Sequence, residues 1–137
     1  MISNPTVSEI AAAIQDIATA ISGMRYAPEY PPDRVDAFPF AATYASAGEL
    51  VREQYSANTP EWIFTTELHV ARKDMARDLK AVTPIAEAFM EALAAQLHLA
   101  VQAQIATITA AFGGSEWGGV ETRAWVFTTR VRMNRST

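Results

Sequence analysis

The chain has 137 residues, of which 50% are hydrophobic and 19% charged, and it carries a net charge of −4. This length favours one domain, residues 1–137, with a sizeable core, and this composition excludes a disordered protein. The acidic balance gives no electrostatic basis for nucleic-acid binding. Because cysteine is absent, disulfides and thiolate chemistry are excluded. The first residues match neither a signal peptide nor a membrane span, so we expect a soluble protein made in a cytoplasm.

The first predicted element is an amphipathic helix over residues 6–22. Thr6 and Glu9 have the spacing of a capping box, in which each side chain bonds the other residue's amide. Isoleucines recur along one stripe of this helix (Ile10, Ile14, Ile17 and Ile21), which predicts that the stripe lies on a sheet. Gln15 and Asp16 lie away from it. Gly23 suits the end of the helix.

A proline-rich loop follows over residues 25–37, because Pro28, Pro31 and Pro32 prevent a helix or a central strand. Long ordered loops are uncommon in compact domains and are often functional. Tyr26 and Tyr30 make this loop a candidate contact arm. The alternative is a connector that wraps over the core.

The central strand is predicted over residues 62–70, where large apolar side chains alternate with other residues. The apolar parity holds Trp62, Phe64, Leu68 and Val70, and the other parity places Glu67 and His69 on a polar face. A preceding strand is predicted over residues 38–45, and Pro39 limits it to an edge of the sheet or marks the strand start. A turn over residues 45–48 and a hairpin partner over residues 49–56 complete this part.

In the second half of the chain, the sequence predicts a short helix over residues 75–82, capped by Asp74. A longer helix is predicted to begin at Thr83-Pro84 and to end near His98. Two strands follow, over residues 101–112 and 124–133, around a flexible hairpin tip at residues 113–119. Four residues of the last strand are predicted to face the core: Trp125, Phe127, Val131 and Met133. The predicted fold is α+β, with a mainly antiparallel sheet of four to five strands and two main helices packed on one face.

The search for catalytic or metal-binding patterns gives no enzyme signature and implies no cofactor. His69 and His98 lack metal-ligand spacing, so we expect His69 to be a surface histidine beside Glu67. Glu87 and Glu91 lie one helical turn apart, which fits a shared proton or, by preference, a solvated helix face. No phosphate-binding loop or nucleophile elbow is present.

Two features suggest contacts with other subunits. Trp117, at a glycine-rich tip, is predicted to be exposed and is either an interface anchor or packed under its hairpin. Acidic residues predominate in residues 1–61, whereas Arg130 and Arg132 belong to a basic end of the chain. This asymmetry fits head-to-tail contacts between copies or, alternatively, a solvated tail with cross-strand pairing.

The order of these features resembles the tail terminator, or tail-completion, proteins of long-tailed bacteriophages. The resemblance is one of layout and short phrases, and it covers nearly the whole chain. The phrases are the isoleucine-striped helix, Ala27-Pro28-Glu29, Pro31-Pro32, Phe38-Pro39-Phe40, the strand at residues 62–70 that runs into Asp74, the Thr83-Pro84 helix and the turn Trp117-Gly118-Gly119.

This resemblance implies a structural virion protein. Members of the family look like small α/β units that close into a hexameric ring on the tail tube, stop its polymerisation and join the tail to the neck and head. The implied partners are further copies of the chain, the tail tube protein and a neck or head-completion protein, with DNA only as passing cargo and no membrane. The implied location is the virion, after assembly in the host cytoplasm. Alternatives are another neck or tail-tube subunit or, from a different class, a small α+β ligand-binding module or enzyme.

Overall fold

The structure, a computed structural model, describes residues 6–35, 37–51, 59–96, 98–100 and 103–133. Its elements are α1 (Val7–Thr19), β1 (Phe40–Val51), β2 (Thr59–Ala71), α2 (Met75–Ala94), β3 (His98–Ala100), β4 (Ala103–Trp117) and β5 (Val120–Met133). The strands form one antiparallel sheet in the order β1-β2-β5-β4-β3. The predicted α+β fold, with helices packed on a mainly antiparallel sheet, is therefore confirmed.

Alternation along β2 and β5 places the main core on the helix-bearing side of the sheet, as predicted. The fully buried strand residues include Phe64, Leu68, Phe127 and Val131, and they pack with Ile10, Ile14, Phe89 and Leu93 of the two helices. Trp62 and Trp125 share this side but are only partly buried. Both indoles therefore lie at the border of the core rather than at its centre.

The capping box of α1 is confirmed. The Thr6 amide donates to Glu9 Oε1 at 2.9 Å, and the Glu9 amide donates to Thr6 Oγ1 at 3.1 Å. The placing of Gln15 away from the core is wrong, since Gln15 is 1% exposed. Its Nε2 donates to the carbonyls of Pro28 and Ala41 at 2.9 and 3.0 Å. These bonds satisfy the amide and so remove most of the cost of burying it.

The end of α1 also differs from the prediction. The helix ends at Thr19 with Ala20 as its C-cap, and Gly23, at φ +95°, lies in the turn that follows. The left-handed glycine is thus present but is separated from the helix end.

The break predicted at Thr83-Pro84 is wrong, because α2 is one continuous helix with Pro84 inside it. Asp74 does cap this helix, accepting from the Arg77 amide at 2.9 Å. The proline removes one internal hydrogen bond, but the apolar stripe on both sides of it remains buried against the sheet (Val82, Ile85, Ala86, Phe89 and Leu93). Packing of this stripe therefore outweighs the local preference for a new helix start.

The turn predicted at residues 45–48 is also wrong, because these residues lie within β1. The register of β1 against β2 shifts between Ala45 and Ala47, so the irregularity is a bulge that the strand passes through. The restriction expected from Pro39, to an edge or to the strand start, is confirmed, since β1 is an outer strand that begins just after this proline. Of the predicted hairpin partner, residues 49–51 belong to β1 and residues 52–56 lie outside the described residues.

The hairpin of β4 and β5 is confirmed, but its tip is shorter than predicted. Residues 113–117 belong to β4 and pair with β5, so the turn contains only Gly118 and Gly119. Their φ values of +58° and +83° are those of a tight hairpin turn that favours glycine at both positions. Before this hairpin, β3 occupies the place where the end of the second helix was predicted.

Candidate interaction surface

The side of the sheet opposite the helices, here called the outer face, is partly covered by the proline-rich loop. A second, smaller apolar cluster lies there and consists of Val35, Phe40 and Ala42 with Tyr26, Phe38 and Trp117 packed against them. The loop is held at its start by the Arg25 and Tyr26 amides, which both donate to the Pro39 carbonyl at 3.1 Å, and by the Ala41 amide, which donates to the Tyr26 carbonyl at 2.9 Å. These contacts support the interpretation of this loop as a connector that wraps over the core.

Trp117 is half-buried in this cluster, so the prediction of an exposed indole is wrong. Its Nε1 donates to the Pro32 carbonyl at 2.7 Å, and its ring meets those of Phe40 and His69 edge-on at centroid distances of 5.1 and 5.5 Å. The indole thus joins the hairpin end to the loop. A buried indole N–H ordinarily has such a partner.

The two tyrosines of the loop have different surroundings. Tyr26 is half-buried and stacks on Phe40 with ring centroids 5.7 Å apart. Tyr30 is 69% exposed and is the most exposed large hydrophobic side chain among the described residues. Tyr26 and Trp117 are therefore brought together on Phe40, while Tyr30 alone projects as a contact arm would.

His69 lies under this cover and is fully buried, which corrects the expectation of a surface histidine. Its Nε2 lies 2.9 Å from Glu67 Oε1, as the neighbouring positions suggested, and its Nδ1 lies 2.6 Å from Thr122 Oγ1. The Tyr44 hydroxyl donates to the other carboxylate oxygen of Glu67. The four side chains form a continuous polar network that connects β1, β2 and β5.

The network lowers the pKa of Glu67 and raises the pKa of Tyr44. Burial alone would raise the pKa of Glu67, but hydrogen bonds with His69 and Tyr44 outweigh it, so the pKa of Glu67 lies below its usual value. Burial and the bond to Glu67 raise the pKa of Tyr44. Glu67 is therefore held ionised and Tyr44 protonated at neutral pH.

The residue types of this network resemble those of a catalytic triad, but a substrate could not reach them in this arrangement. Thr122, His69 and Glu67 follow one another as hydroxyl, imidazole and carboxylate. A nucleophile must, however, meet its substrate, and the His69 side chain is 0% exposed beneath Phe40 and Trp117. In this closed arrangement the network cross-links three strands and supports the cover above it.

Arg130 and Arg132 lie on the outer face at the other end of β5. Both pair with Glu61 of β2, through Arg130 Nη1 at 3.0 Å and Arg132 Nη2 at 3.1 Å. These bonds hold the pKa of the Glu61 carboxyl below its usual value. The cross-strand pairing considered for these arginines is thus present, although their side chains remain 38% and 51% exposed and keep charge at the surface.

Between these two ends the outer face is open. One row across the sheet contains Tyr44, Thr65, Thr128 and Thr109, which are neighbours in register. Thr109 and Ala111 of β4 are exposed, whereas Thr65 and Thr128 are half-buried. Among the described residues, this open area is rich in threonine.

On the helix-bearing side, α2 leaves part of β4 and β5 uncovered. An apolar groove of about 360 Å³ lies there, lined by residues that include Met90, Ala110, Trp125 and Phe127. Glu87 and Glu91 stand on its α2 wall and are exposed, as expected for a solvated helix face. Their position beside the groove was not foreseen, because it depends on which strand α2 crosses.

Sequence reasoning missed the network around His69, although a partial signal was available. Glu67 and His69 share a face of one strand, and Tyr44 lies on the corresponding parity of a neighbouring strand. Only the register places Tyr44 beside Thr65 and His69 beside Ala124. Only the loop and Trp117 convert this polar face into an interior.

Within the described ranges, no group of three or more His, Asp or Glu side chains is arranged to hold a metal ion. No helix in that part of the chain is long and apolar enough to cross a membrane. No protein-family model matches the chain, and a search of curated proteins finds no significant match.

Proposed function

We propose that this protein is a structural subunit of a long-tailed phage virion, a tail terminator that closes as a hexameric ring on the tail tube. In this role it stops tube polymerisation and joins the tail to the neck and head. Its partners are further copies of the chain, the tail tube protein and a neck protein, and it acts in the virion without a cofactor. The proposal classifies the protein as structural and not as an enzyme.

The observation that carries the proposal is the resemblance in layout over nearly the whole chain, from the capped isoleucine helix to the Trp117-Gly118-Gly119 turn. The α+β architecture is compatible with the small units of that family. The acidic net charge of −4 also fits a passage for DNA, since a lumen that DNA slides through should not bind phosphates tightly.

A ring requires head-to-tail contacts, in which one patch meets a different patch on the next copy. The exposed Tyr30 and the partly exposed Arg130 and Arg132 lie on parts of the surface that remain available for such contacts. Trp117 and Tyr26 would act indirectly, by holding the loop that carries Tyr30. We therefore assign the arginines and Tyr30 to the seam and the two packed aromatic residues to its support.

The test is the loss of the protein in cells that produce the phage. We expect tails of uncontrolled length that fail to join heads, seen by electron microscopy, and full restoration when the intact chain is supplied. Tails of normal length joined to heads in its absence would refute the terminator role.

A variant pair tests the seam. Replacing Arg130 and Arg132 together by glutamine keeps the shape of the sheet surface and removes its charge. We expect weaker ring formation by light scattering and an unchanged fold by circular dichroism. The control is the same replacement at two other exposed arginines, Arg72 in the link before α2 and Arg77 in its first turn. An equal loss in both variants would show a general charge effect and not a seam.

A small-ligand module is the second candidate, and the groove beside Trp125 favours it. The groove's volume of about 360 Å³ lies at the lower end of the range for ligand pockets. Its walls are apolar apart from Thr83, Glu87 and Glu91. The chain has three tryptophans, so the test is a change in tryptophan fluorescence on addition of a small apolar amine that is lost in Trp125→Phe. Loss of amine binding in Glu87→Gln as well would support this candidate over the ring.

A further inference from the structure

Most of the edge of β4 that faces away from β5 has no partner strand among the described residues. β4 pairs with β5 from Ala103 to Trp117. On the side away from β5, the pairs with β3 in the described part of the chain are at Ala103 and Gln104. Among the described residues, no strand and no loop backbone bonds the outer side of residues 106–117. A row of free amide and carbonyl groups of this length is a template for a further strand.

This edge lacks the features by which proteins usually protect such a row. Residues 106–115 read ATITAAFGGS and contain no charge and no proline. The register of β4 against β5 shifts at the first of these residues, between Ile105 and Thr107, and is regular from Thr107 onwards. Charges, prolines and bulges are the common means of preventing edge-to-edge pairing.

The opposite edge of the sheet is protected in several of these ways. At the start of β1, the Ala41 amide is already bonded to Tyr26, and Pro39 precedes the strand. The bulge after Ala45 then interrupts the ladder, and Glu49 adds a charge beyond it. The two edges therefore differ, and only that of β4 offers a long regular pairing surface.

The turn of the hairpin determines which groups of β4 point outwards. Trp117 and Val120 are the last pair and flank a two-residue turn, so their backbone groups bond each other. Bonding direction alternates along a strand. Residues 109, 111, 113 and 115 therefore bond β5, and the backbone groups of Ile108, Ala110, Phe112 and Gly114 point to the free edge.

We propose that this edge binds β4 of a second copy of the chain, antiparallel and related by a two-fold axis at Ala110. Residues 106–114 then pair with 114–106 of the partner, and β3 stays in place. Each Ile108 faces the partner's Phe112, an aliphatic–aromatic pair of the kind that stabilises antiparallel strands. A centre at residue 111 or 112 would instead place Phe112 opposite alanine or itself.

The groove beside β4 adds apolar surface to this contact. Ile108, Ala110 and Phe112 lie on the helix-bearing side of the sheet with Trp125 and Met90, and Phe112 and Trp125 have ring centroids 5.5 Å apart. A contact of nine paired residues on each copy is smaller than a standard interface, which has about 20–30 residues a side. We therefore expect a concentration-dependent dimer rather than a permanent one.

This contact is independent of the proposed ring. A two-fold contact joins the same patch on both copies and closes at two subunits, whereas a ring is built from head-to-tail contacts. The pairing thus describes the free subunit, and it also covers an edge that would otherwise promote aggregation.

The decisive experiment introduces one cysteine into the full-length, cysteine-free chain. In Ala110→Cys the two cysteines face each other across the two-fold axis. Hydrogen-bonded antiparallel pairs have Cα atoms about 5.5 Å apart, which is within the range for a disulfide. We expect a disulfide-linked dimer under mild oxidation. The matched control is Ala47→Cys, an exposed alanine of the other edge strand, which should stay monomeric on a denaturing gel.

A second measurement does not depend on disulfide geometry. Ala110→Lys should weaken the dimer by at least about tenfold in sedimentation, because like charges would meet at the axis. Ala47→Lys should leave it unchanged. At concentrations where the parent chain is monomeric, both variants should unfold at its midpoint, since both sites are exposed.

The proposal would be overturned by a parent chain that is monomeric at all concentrations, by equal cross-linking of the two cysteine variants, or by a dimer insensitive to Ala110→Lys. A hexamer in which Ala110→Cys does not cross-link would overturn the edge pairing and leave the ring proposal standing.

Discussion

The repeated Phe-Thr-Thr runs of β2 and β5 place two buried threonines side by side in the core. Thr66 lies opposite Phe127, and Thr129 lies opposite Phe64. Thr66 Oγ1 is 2.9 Å from Thr43 Oγ1, which in turn donates to Gln15. Thr129 Oγ1 is buried with no hydrogen-bond partner among the described residues. The two threonines thus occupy the same position in the repeated run but differ in energy. The hydroxyl of Thr66 is hydrogen-bonded, whereas burial of the unpaired hydroxyl of Thr129 lowers stability.

The first prediction follows from this difference. Thr129→Val should raise the free energy of unfolding by about 1 kcal/mol, since it removes an unpaired buried hydroxyl while keeping the side-chain shape. Thr66→Val should lower it by about 1 kcal/mol, because Thr43 loses a partner. Urea unfolding of both variants measures the two changes. Losses of equal size would contradict the assignment of Thr129 as unpaired.

Glu67 makes the stability of the fold depend on pH. Its pKa is lowered in the folded state by the bonds to His69 and Tyr44. Its stabilising contribution is therefore complete above the ordinary carboxyl pKa of about 4.5 and is lost as the pH falls through the lower folded value. The Tyr44 hydroxyl stays protonated throughout that range, since its pKa is raised.

The second prediction uses this sign. Between pH 7 and pH 3 the free energy of unfolding should fall more steeply for the parent chain than for Glu67→Gln. Glu87→Gln, at an exposed position on α2, should follow the parent. Parallel curves for the parent and Glu67→Gln would contradict a folded-state pKa shift at this residue.

At the scale of elements, the hairpin turn supports the loop over the outer face. A Cβ atom added to Gly118 would lie 2.3 Å from the Asp33 carbonyl oxygen, whereas one added to Gly119 would meet nothing within 4 Å. Both glycines have positive φ, so both substitutions carry the conformational cost of a left-handed alanine. Only one of them also displaces the loop.

The third prediction is therefore a comparison of the two glycines. Gly119→Ala should cost about 1–2 kcal/mol through backbone strain. Gly118→Ala should cost more and should also loosen the contact of Trp117 with Pro32, which intrinsic fluorescence and hydrogen exchange of residues 26–35 would detect. If the two variants had equal stability and spectra, the turn would not support the loop.

At the scale of the whole molecule, one core holds the helices to the sheet. Phe127 is 1% exposed and meets Phe89 of α2 edge-on at 4.8 Å, close to the middle of this core. Trp125 is larger but only partly buried, and its Nε1 lies 3.4 Å from Thr83 Oγ1. A second tie is the pair of Arg123 and Asp78, 2.7 Å apart and nearly excluded from solvent, which connects β5 to the start of α2.

The fourth prediction ranks the two aromatic residues. Phe127→Ala should lower the free energy of unfolding by about 3–5 kcal/mol, the usual loss for a buried aromatic side chain. Trp125→Ala should cost less despite the larger side chain, because part of the indole is already in water. Chemical denaturation measures both, and a larger loss for Trp125 would place the centre of the core at the groove.

Local patterns in the sequence were sufficient to identify the elements and their inward faces. The capping box of Thr6 and Glu9, the cap at Asp74 and the alternation from Trp62 to Val70 depend on residues that are close along the chain. Their physical causes, hydrogen bonds to helix ends and the two-residue period of strands, are equally local. The fold class followed from the order of these elements.

The tertiary structure decided which polar residues are buried and where elements end. Gln15 and His69 are interior because a loop and a second strand satisfy their polar atoms, and no periodicity encodes such distant partners. Pro84 remains inside a helix because the stripe on both sides of it packs on one sheet. Trp117 is covered because the hairpin end meets the loop. In the described part of the chain, β4 has a free edge because β3 pairs with its first residues and stops there, and strand order depends on contacts between segments far apart in the chain.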